Sequence, residues 1–232
     1  MSAIFEKYRP QSWDQVVAQD KAVRYFKALA ASNEIGGQCF WITGLTGTGK
    51  TTIARLAARE LADPFCIVEM DARDLDADAL REAERTMSLY GFGAKTGRAW
   101  IINEAHNLSA RTVGKLKTML EPVGGLPDHV AWFFTTTNED QESLIEGTES
   151  IKPLFGRMTP IQLARRDICK PAARYLQACL ADAGLDGTWP AERYERIVKD
   201  SGNSIREALV KAARIARDEN AARDAGEMVG AS

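Results

Sequence analysis

Gly44-Leu45-Thr46-Gly47-Thr48-Gly49-Lys50-Thr51 fits the pattern G-x-x-x-x-G-K-[ST]. Residues of these types at this spacing bind phosphate. The glycines let the backbone curl until the N–H groups from Gly44 to Gly49 point inward at phosphate oxygens. A helix opening at Lys50 adds the positive end of its dipole. Lys50 is then placed to reach the β- and γ-phosphates and Thr51 to hold Mg²⁺, with Thr52 beside it in the same cradle. The expected ligand of this stretch is ATP with Mg²⁺.

Some fifty residues later, Trp100-Ile101-Ile102-Asn103-Glu104-Ala105-His106 has the form of a second nucleotide motif. In that motif an apolar strand delivers two acidic residues beside the phosphates, and here one of the two is missing. Asn103 offers the metal a neutral oxygen, with a weaker pull on the ion than a carboxylate. Glu104 remains to polarise the attacking water. His106 is read as a structural hydrogen-bonding residue.

The elements that must position these residues are legible as alternating patterns. Cys39 to Thr43 is a short apolar run before the glycine loop. Ile53, Leu56, Ala57 and Leu61 then share one face of a helix after it. Phe65 to Met70 predicts a second strand, Leu80 to Met87 a helix, and Trp100 to Ile102 a third strand. Ser109 caps a helix that stops before Pro122, and Val130 to Thr135 is a fourth strand. Strands separated by helices predict an α/β fold, a parallel sheet with helices on both faces and ligands at the carboxyl ends of its strands. After about Arg165 the pattern turns helical, over Asp167 to Ala183, Pro190 to Asp200 and Ser204 to Asn220. The expected organisation is an α/β domain over 1–165, a three-helix domain over 166–220 and a flexible tail over 221–232.

Composition narrows the class. The chain has 232 residues, of which 27% are charged and 45% apolar, a globular balance. Its longest apolar runs fall far short of the roughly 18 residues that a membrane span needs. The first ten residues carry Glu6, Lys7 and Arg9 and show no secretion signal, which makes the cytoplasm the expected location. Cys39, Cys66, Cys169 and Cys179 form no C-x-x-C pair, and the two histidines lie near none of them in sequence. That spacing favours reduced, buried thiols over a zinc site. Thirty basic against 32 acidic residues exclude a uniformly basic surface, so any contact with nucleic acid must be local.

Beyond the two nucleotide motifs, the opening Lys7-Tyr8-Arg9-Pro10-Gln11-Ser12-Trp13-Asp14-Gln15-Val16-Val17-Ala18-Gln19 resembles the N-terminal signature of clamp-loader ATPase subunits of the AAA+ superfamily, the bacterial gamma/tau type in particular. Val68 to Ala72, Asn103 to Ser109, Lys117 to Pro122, Thr135 to Asn138, Leu154 to Met158 and Gly202 to Leu209 follow in that family's order, so the similarity runs from about residue 5 to about 216. The resemblance implies a set of roles. Arg9 and Val17 lie in the hinge that receives adenine, and Asn138, with Thr137 as the neighbouring candidate, is the polar sensor. Arg206 is the second sensor, reaching the γ-phosphate from the helical lid. Arg157 is the finger that one subunit extends into its neighbour's site, where a planar cation offsets transition-state charge.

The same resemblance exposes departures. Asn103 stands where the family has aspartate, Gly156 and Met158 flank the finger in place of serine and cysteine, and Ala18 replaces a glycine. Only Asp63-Pro64 joins the first helix to the second strand, where the gamma/tau type inserts a four-cysteine zinc module. The chain ends where the family's collar domain would begin. The expected function is a minimal clamp-loader-like ATPase that remodels a replication component such as a sliding clamp on DNA, as a homo- or hetero-oligomer. Two other readings stay open: a nucleotide-gated assembly subunit with little ATPase activity, and a regulator of helicase loading or transposition. Lys95, Arg98, Arg111, Lys115 and Lys117 are the candidate DNA contacts, read as surrounding the Asn103-Glu104 strand end and the next helix.

Overall fold

The structure is a computed structural model and describes residues 4–121, 125–137, 154, 156–164, 167–185 and 189–230. Five strands, β1 (Gln38–Thr43), β2 (Ile67–Asp71), β3 (Arg98–Asn103), β4 (Val130–Thr136) and β5 (Thr159–Gln162), pair in the order β2-β3-β4-β1-β5. Every pairing is parallel. The carboxyl ends of β1, β3 and β4 therefore lie side by side, where an open α/β sheet places its ligands.

Alternation within each strand divides the side chains between two faces. Trp41, Trp100, Ile102, Trp132 and Phe134 share a core with Leu80 and Met87 of α4 (Ala77–Met87) and with Val113 and Leu116 of α5 (Ala110–Met119). Trp100 and Trp132 stack there with ring centroids 5.0 Å apart. Phe40 and Phe133 face the other way and stack at 5.1 Å, with Phe26 of α2 (Asp20–Ala31) edge-on to Phe40. Each such fully buried ring contributes about 1.5–3 kcal/mol of apolar burial. The sheet is thus fixed from both sides, as a strand end that must hold chemistry requires.

Three details depart from the sequence reading. The second strand starts at Ile67, not Phe65, because Pro64 fixes its own φ and opens a tight turn over Pro64–Cys66 that leaves Phe65 exposed. The helix expected from Leu80 begins at Ala77, since the Asp76 carboxylate accepts the N–H groups of Asp78 and Ala79, both at 2.9 Å. Strand β5 has no counterpart in the sequence pattern. Its four residues include Pro160, which is compatible with a strand at the sheet edge.

Two compact units divide the chain. One comprises Gln19–Leu45 and Lys50–Leu163 and contains the sheet, with α3 (Lys50–Leu61) following the glycine loop. The other comprises Met1–Ala18, Thr46–Gly49 and Ala164–Ser232. In the second unit α6 (Cys169–Asp182), α7 (Ala191–Asp200) and α8 (Ile205–Gly230) enclose a core of Leu176, Leu180, Tyr194, Ile197, Val198 and Leu209. Ile4 and Phe5 of α1 (Ile4–Lys7), with Tyr8, Val17 and Ala18, pack on that core, so the N-terminal segment, expected from the sequence to belong with the α/β domain, clusters with the helices. The backbone of α8 is helical past residue 220, to Gly230.

The cysteines are free thiols, with Cys39, Cys66 and Cys179 buried. Burial pushes the Cys39 thiol up to about 12, which keeps it protonated and unreactive at neutral pH. Among the described residues no group of three or more His, Cys, Asp or Glu side chains is disposed to hold a metal ion. No helix among them is long and apolar enough to cross a membrane.

Candidate functional site

The phosphate-loop motif lies between β1 and α3, the strand–loop–helix context its chemistry requires. Gly47 and Gly49 take φ values of +75° and +99°, which side chains bearing a Cβ rarely adopt. At Gly47 a Cβ would also come 2.1 Å from the Ser204 hydroxyl oxygen and 3.0 Å from its Cβ within the helical unit, so a larger residue here is strained and requires Ser204 to move. Lys50 opens α3 and is only 6% exposed. Its Nζ donates to the carbonyl oxygens of Gly44 at 3.0 Å and Leu45 at 2.9 Å. A buried ammonium held by the carbonyls of its own loop is a cation stored where an anionic ligand would meet it.

Asn103, the last residue of β3, is the hub of the next cluster. Its Oδ1 accepts the Thr51 hydroxyl at 2.9 Å and the Thr135 hydroxyl at 3.0 Å, so α3 and β4 converge on one oxygen. Its Nδ2 donates to Glu69 Oε1 at 3.0 Å. Glu69 in turn accepts Arg55 through Nε at 2.5 Å and Nη2 at 2.9 Å, a bidentate pair. Sheet register explains the meeting. Asp71 pairs with Asn103 and Glu69 with Ile101, so Glu69, Asn103 and Thr135 emerge on the face that α3 covers.

Glu104 follows with φ 52° and ψ 46°, a left-handed conformation that costs a non-glycine residue about 1–3 kcal/mol. Glu104 Oε2 accepts the Thr137 hydroxyl at 3.0 Å and lies 3.6 Å from His106 Nδ1. His106 Nδ1 is also 3.1 Å from the Thr136 hydroxyl, in keeping with a structural role for the ring.

The remaining residues singled out from the sequence fall in both units. Arg9 is in the helical unit, where its Nε donates to Glu6 Oε2 at 3.0 Å; Val17 packs on the helical core. The Arg206 guanidinium rests over the Phe5 ring, 4.3 Å from its centroid. Arg157 forms a close ion pair with Glu121 and keeps 24% of its side chain exposed. Asn138 lies outside the described residues.

The grouping of Lys95 and Arg98 around the Asn103-Glu104 strand end needs correction. Arg98 begins β3 and Asn103 ends it, which separates them by roughly 17 Å at about 3.3 Å per residue. Lys95 precedes the strand and sits near Glu60 at 3.7 Å, while Arg98 Nε donates to the Leu89 carbonyl at 2.9 Å. Arg111, Lys115 and Lys117 are exposed on α5 and remain candidates on their own.

Glu69, Arg55 and Thr135 join the Asn103 cluster without any motif in the sequence that marks them. A partial signal existed for Glu69, an acid in an apolar run that shares strand parity with Asp71. Nothing in a single sequence reports that its strand lies next to Asn103.

A loop-bound lysine, a shared threonine–asparagine oxygen cluster and a strained carboxylate, at the carboxyl ends of one parallel sheet, define a P-loop nucleotide-binding domain. Residues 40–149 match the family described as ATPase family associated with various cellular activities (AAA), and the chain carries an AAA domain with the AAA fold. Its relatives are clamp-loader subunits. Replication factor C small subunit of Haloarcula marismortui is 32% identical over 120 residues, covering 50% of this chain and 36% of that protein. DNA polymerase III subunit gamma/tau of Mycobacterium tuberculosis is 27% identical over 164 residues, covering 60% of this chain and 28% of that protein. The chain spans about a third of the length of these curated relatives. Among solved structures, a Thermotoga maritima RuvB variant has a TM-score of 0.67 at 21% identity, covering 91% of this chain and 65% of that one. NtrX from Brucella abortus in complex with ATP has a TM-score of 0.58 at 18% identity, covering 86% and 50%. These two likenesses concern the fold alone.

Proposed function

We propose that this chain is a clamp-loader-like ATPase subunit that binds ATP with Mg²⁺, hydrolyses it slowly, and uses the cycle to remodel a replication component such as a sliding clamp on DNA, in the cytoplasm. The observation that carries the reading is the convergence of Lys50, Thr51, Asn103 and Glu104 where β1 and β3 end.

The residues present fit magnesium. Thr51 Oγ1 and Asn103 Oδ1 are hard oxygen donors 2.9 Å apart, a neutral pair suited to an ion whose other ligands are waters and phosphate oxygens. Thr51 and Asn103 would hold it, and it would supply charge neutralisation at the phosphates. Lys50 exchanges its loop carbonyls for phosphate oxygens and orients the chain of phosphates. Glu104, aimed by its backbone and by Thr137, orients a water and takes its proton as the oxygen attacks the γ-phosphorus and the bond to the β-phosphate oxygen breaks. Arg206 contributes a cation in the same subunit, and Arg157 contributes one to a neighbour's nucleotide in a homo- or hetero-oligomer. Arg111, Lys115 and Lys117 provide an exposed basic surface for DNA.

Comparing the chain with its Glu104→Gln variant tests hydrolysis apart from binding. The variant should bind ATP as tightly while turnover falls about a hundredfold or more. Equal turnover in both would remove Glu104 from the chemistry. The second reading, a nucleotide-gated assembly subunit with little hydrolysis, is favoured by Asn103 and its neutral oxygen. A turnover indistinguishable from the Glu104→Gln background, with ATP-dependent assembly intact, would select it.

A further inference from the structure

Asn103 has a problem that an aspartate in its place would not have. Its two terminal atoms differ, and only the oxygen can face a cation. Thr51 and Thr135 do not decide which atom faces them, because a hydroxyl donates to an amide oxygen or accepts from an amide nitrogen equally well. Both threonines would be satisfied with the amide turned over, and the metal-facing oxygen would be lost.

We propose that Glu69 is a positioning residue that holds the Asn103 amide in the one orientation that presents Oδ1 to Thr51. A carboxylate flanked by a guanidinium accepts hydrogen bonds and donates none, so the Asn103 atom 3.0 Å from Glu69 Oε1 must be Nδ2. Arg55 holds Glu69 through both carboxylate oxygens and leaves Oε1 aimed at β3. The ordered chain is Arg55 to Glu69 to Asn103 to Thr51, running from α3 through two neighbouring strands and back to the first turn of α3. Glu69 is thereby the outer residue that makes an asparagine usable where an acid is missing, an assignment that rests on the proposed magnesium–nucleotide reading for its purpose but not for its geometry.

The two aspects separate by experiment. In the nucleotide-free full chain, the Asn103 side-chain amide should give a nitrogen–proton NMR signal with one proton shifted downfield and slowed in exchange, identified by its disappearance in Asn103→Asp. Glu69→Gln keeps the shape but can donate as well as accept, so the shifted, slowly exchanging signal should be lost. An unchanged signal in Glu69→Gln overturns the proposal, whether or not the chain binds nucleotide.

With a non-hydrolysable ATP analogue, calorimetric titration of magnesium should show about a tenfold loss of affinity in Glu69→Gln, the usual scale for removing a group that orients a metal ligand. That loss should vanish when Asn103→Asp is also present, because either oxygen of a carboxylate can face Thr51 and no orienting partner is needed. An equal loss in both backgrounds would mean that Glu69 merely supports the strand, and would also overturn the proposal. Should the parent chain bind no magnesium nucleotide, the functional reading fails while the amide signal still decides the orientation.

Discussion

At the scale of single residues, the site stores charge and strain ahead of its ligand. Lys50 spends its charge on two loop carbonyls, and backbone amides alone cannot replace a formal charge at the phosphates. Lys50→Ala should therefore abolish ATP binding in a calorimetric titration; retained affinity would remove the glycine loop from the account. Thr137 touches the proposed water-orienting carboxylate through one hydrogen bond to a charged acceptor, a contact worth about 1.5–3 kcal/mol. Thr137→Ala should lower kcat about tenfold or more while ATP affinity stays within twofold. A change confined to affinity would show that Thr137 senses bound nucleotide and not the position of Glu104.

At the scale of elements, the turn before α2 carries a visible cost. Ala18 sits at φ 57°, in the left-handed region that favours glycine. That conformation costs an alanine roughly 1 kcal/mol or more. Ala18→Gly should raise stability by about 1 kcal/mol less whatever freedom glycine adds to the unfolded chain, a shift of roughly 2–4 °C at most in a thermal melt. A lower Tm would show that the strain is relieved elsewhere. On another element, the segment between α4 and β3 exposes Leu89, Tyr90 and Phe92, and Phe92 stacks on exposed Phe65 at 4.7 Å between centroids. Tyr90 stacks instead on the His129 ring at 4.1 Å, which holds the start of this segment against the end of the loop before β4.

These elements also show what can be read from one sequence. Strands β1, β3 and β4 and the helices around them were legible because each pairs a clear period with a stop signal, such as Gly44 after β1 or Ser109 before α5. The loop, Lys50, Thr51, Asn103 and Glu104 were legible because their spacing along the chain is itself the signal. Strand β5 was hidden by its shortness and by Pro160. The attachment of residues 4–18 to the helical core was hidden because contacts of Phe5 or Val17 with residues some 150 positions away leave no local period. The Glu69–Asn103 bond depends on strand register between β2 and β3, which no single segment encodes.

At the scale of the whole molecule, the proposed activity is shared between chains. In this structure Arg157 pairs with Glu121 of its own chain, and acting on a neighbour's nucleotide requires exchanging that carboxylate for phosphate oxygens. Mixing Arg157→Ala with Glu104→Gln, each nearly inactive alone, should restore part of the ATP turnover in a homo-oligomer, because some interfaces join an intact Glu104 to an intact Arg157. Full activity of Arg157→Ala in dilute solution would return that arginine to a structural pair. The proposed work of the whole molecule couples nucleotide chemistry to a sliding clamp on DNA. Steady-state ATP turnover of the full chain, measured alone, with primed DNA, with the cognate clamp, and with both, tests it most directly. Slow turnover alone and the highest rate with DNA and clamp together are expected, whereas a rate indifferent to both would overturn that coupling.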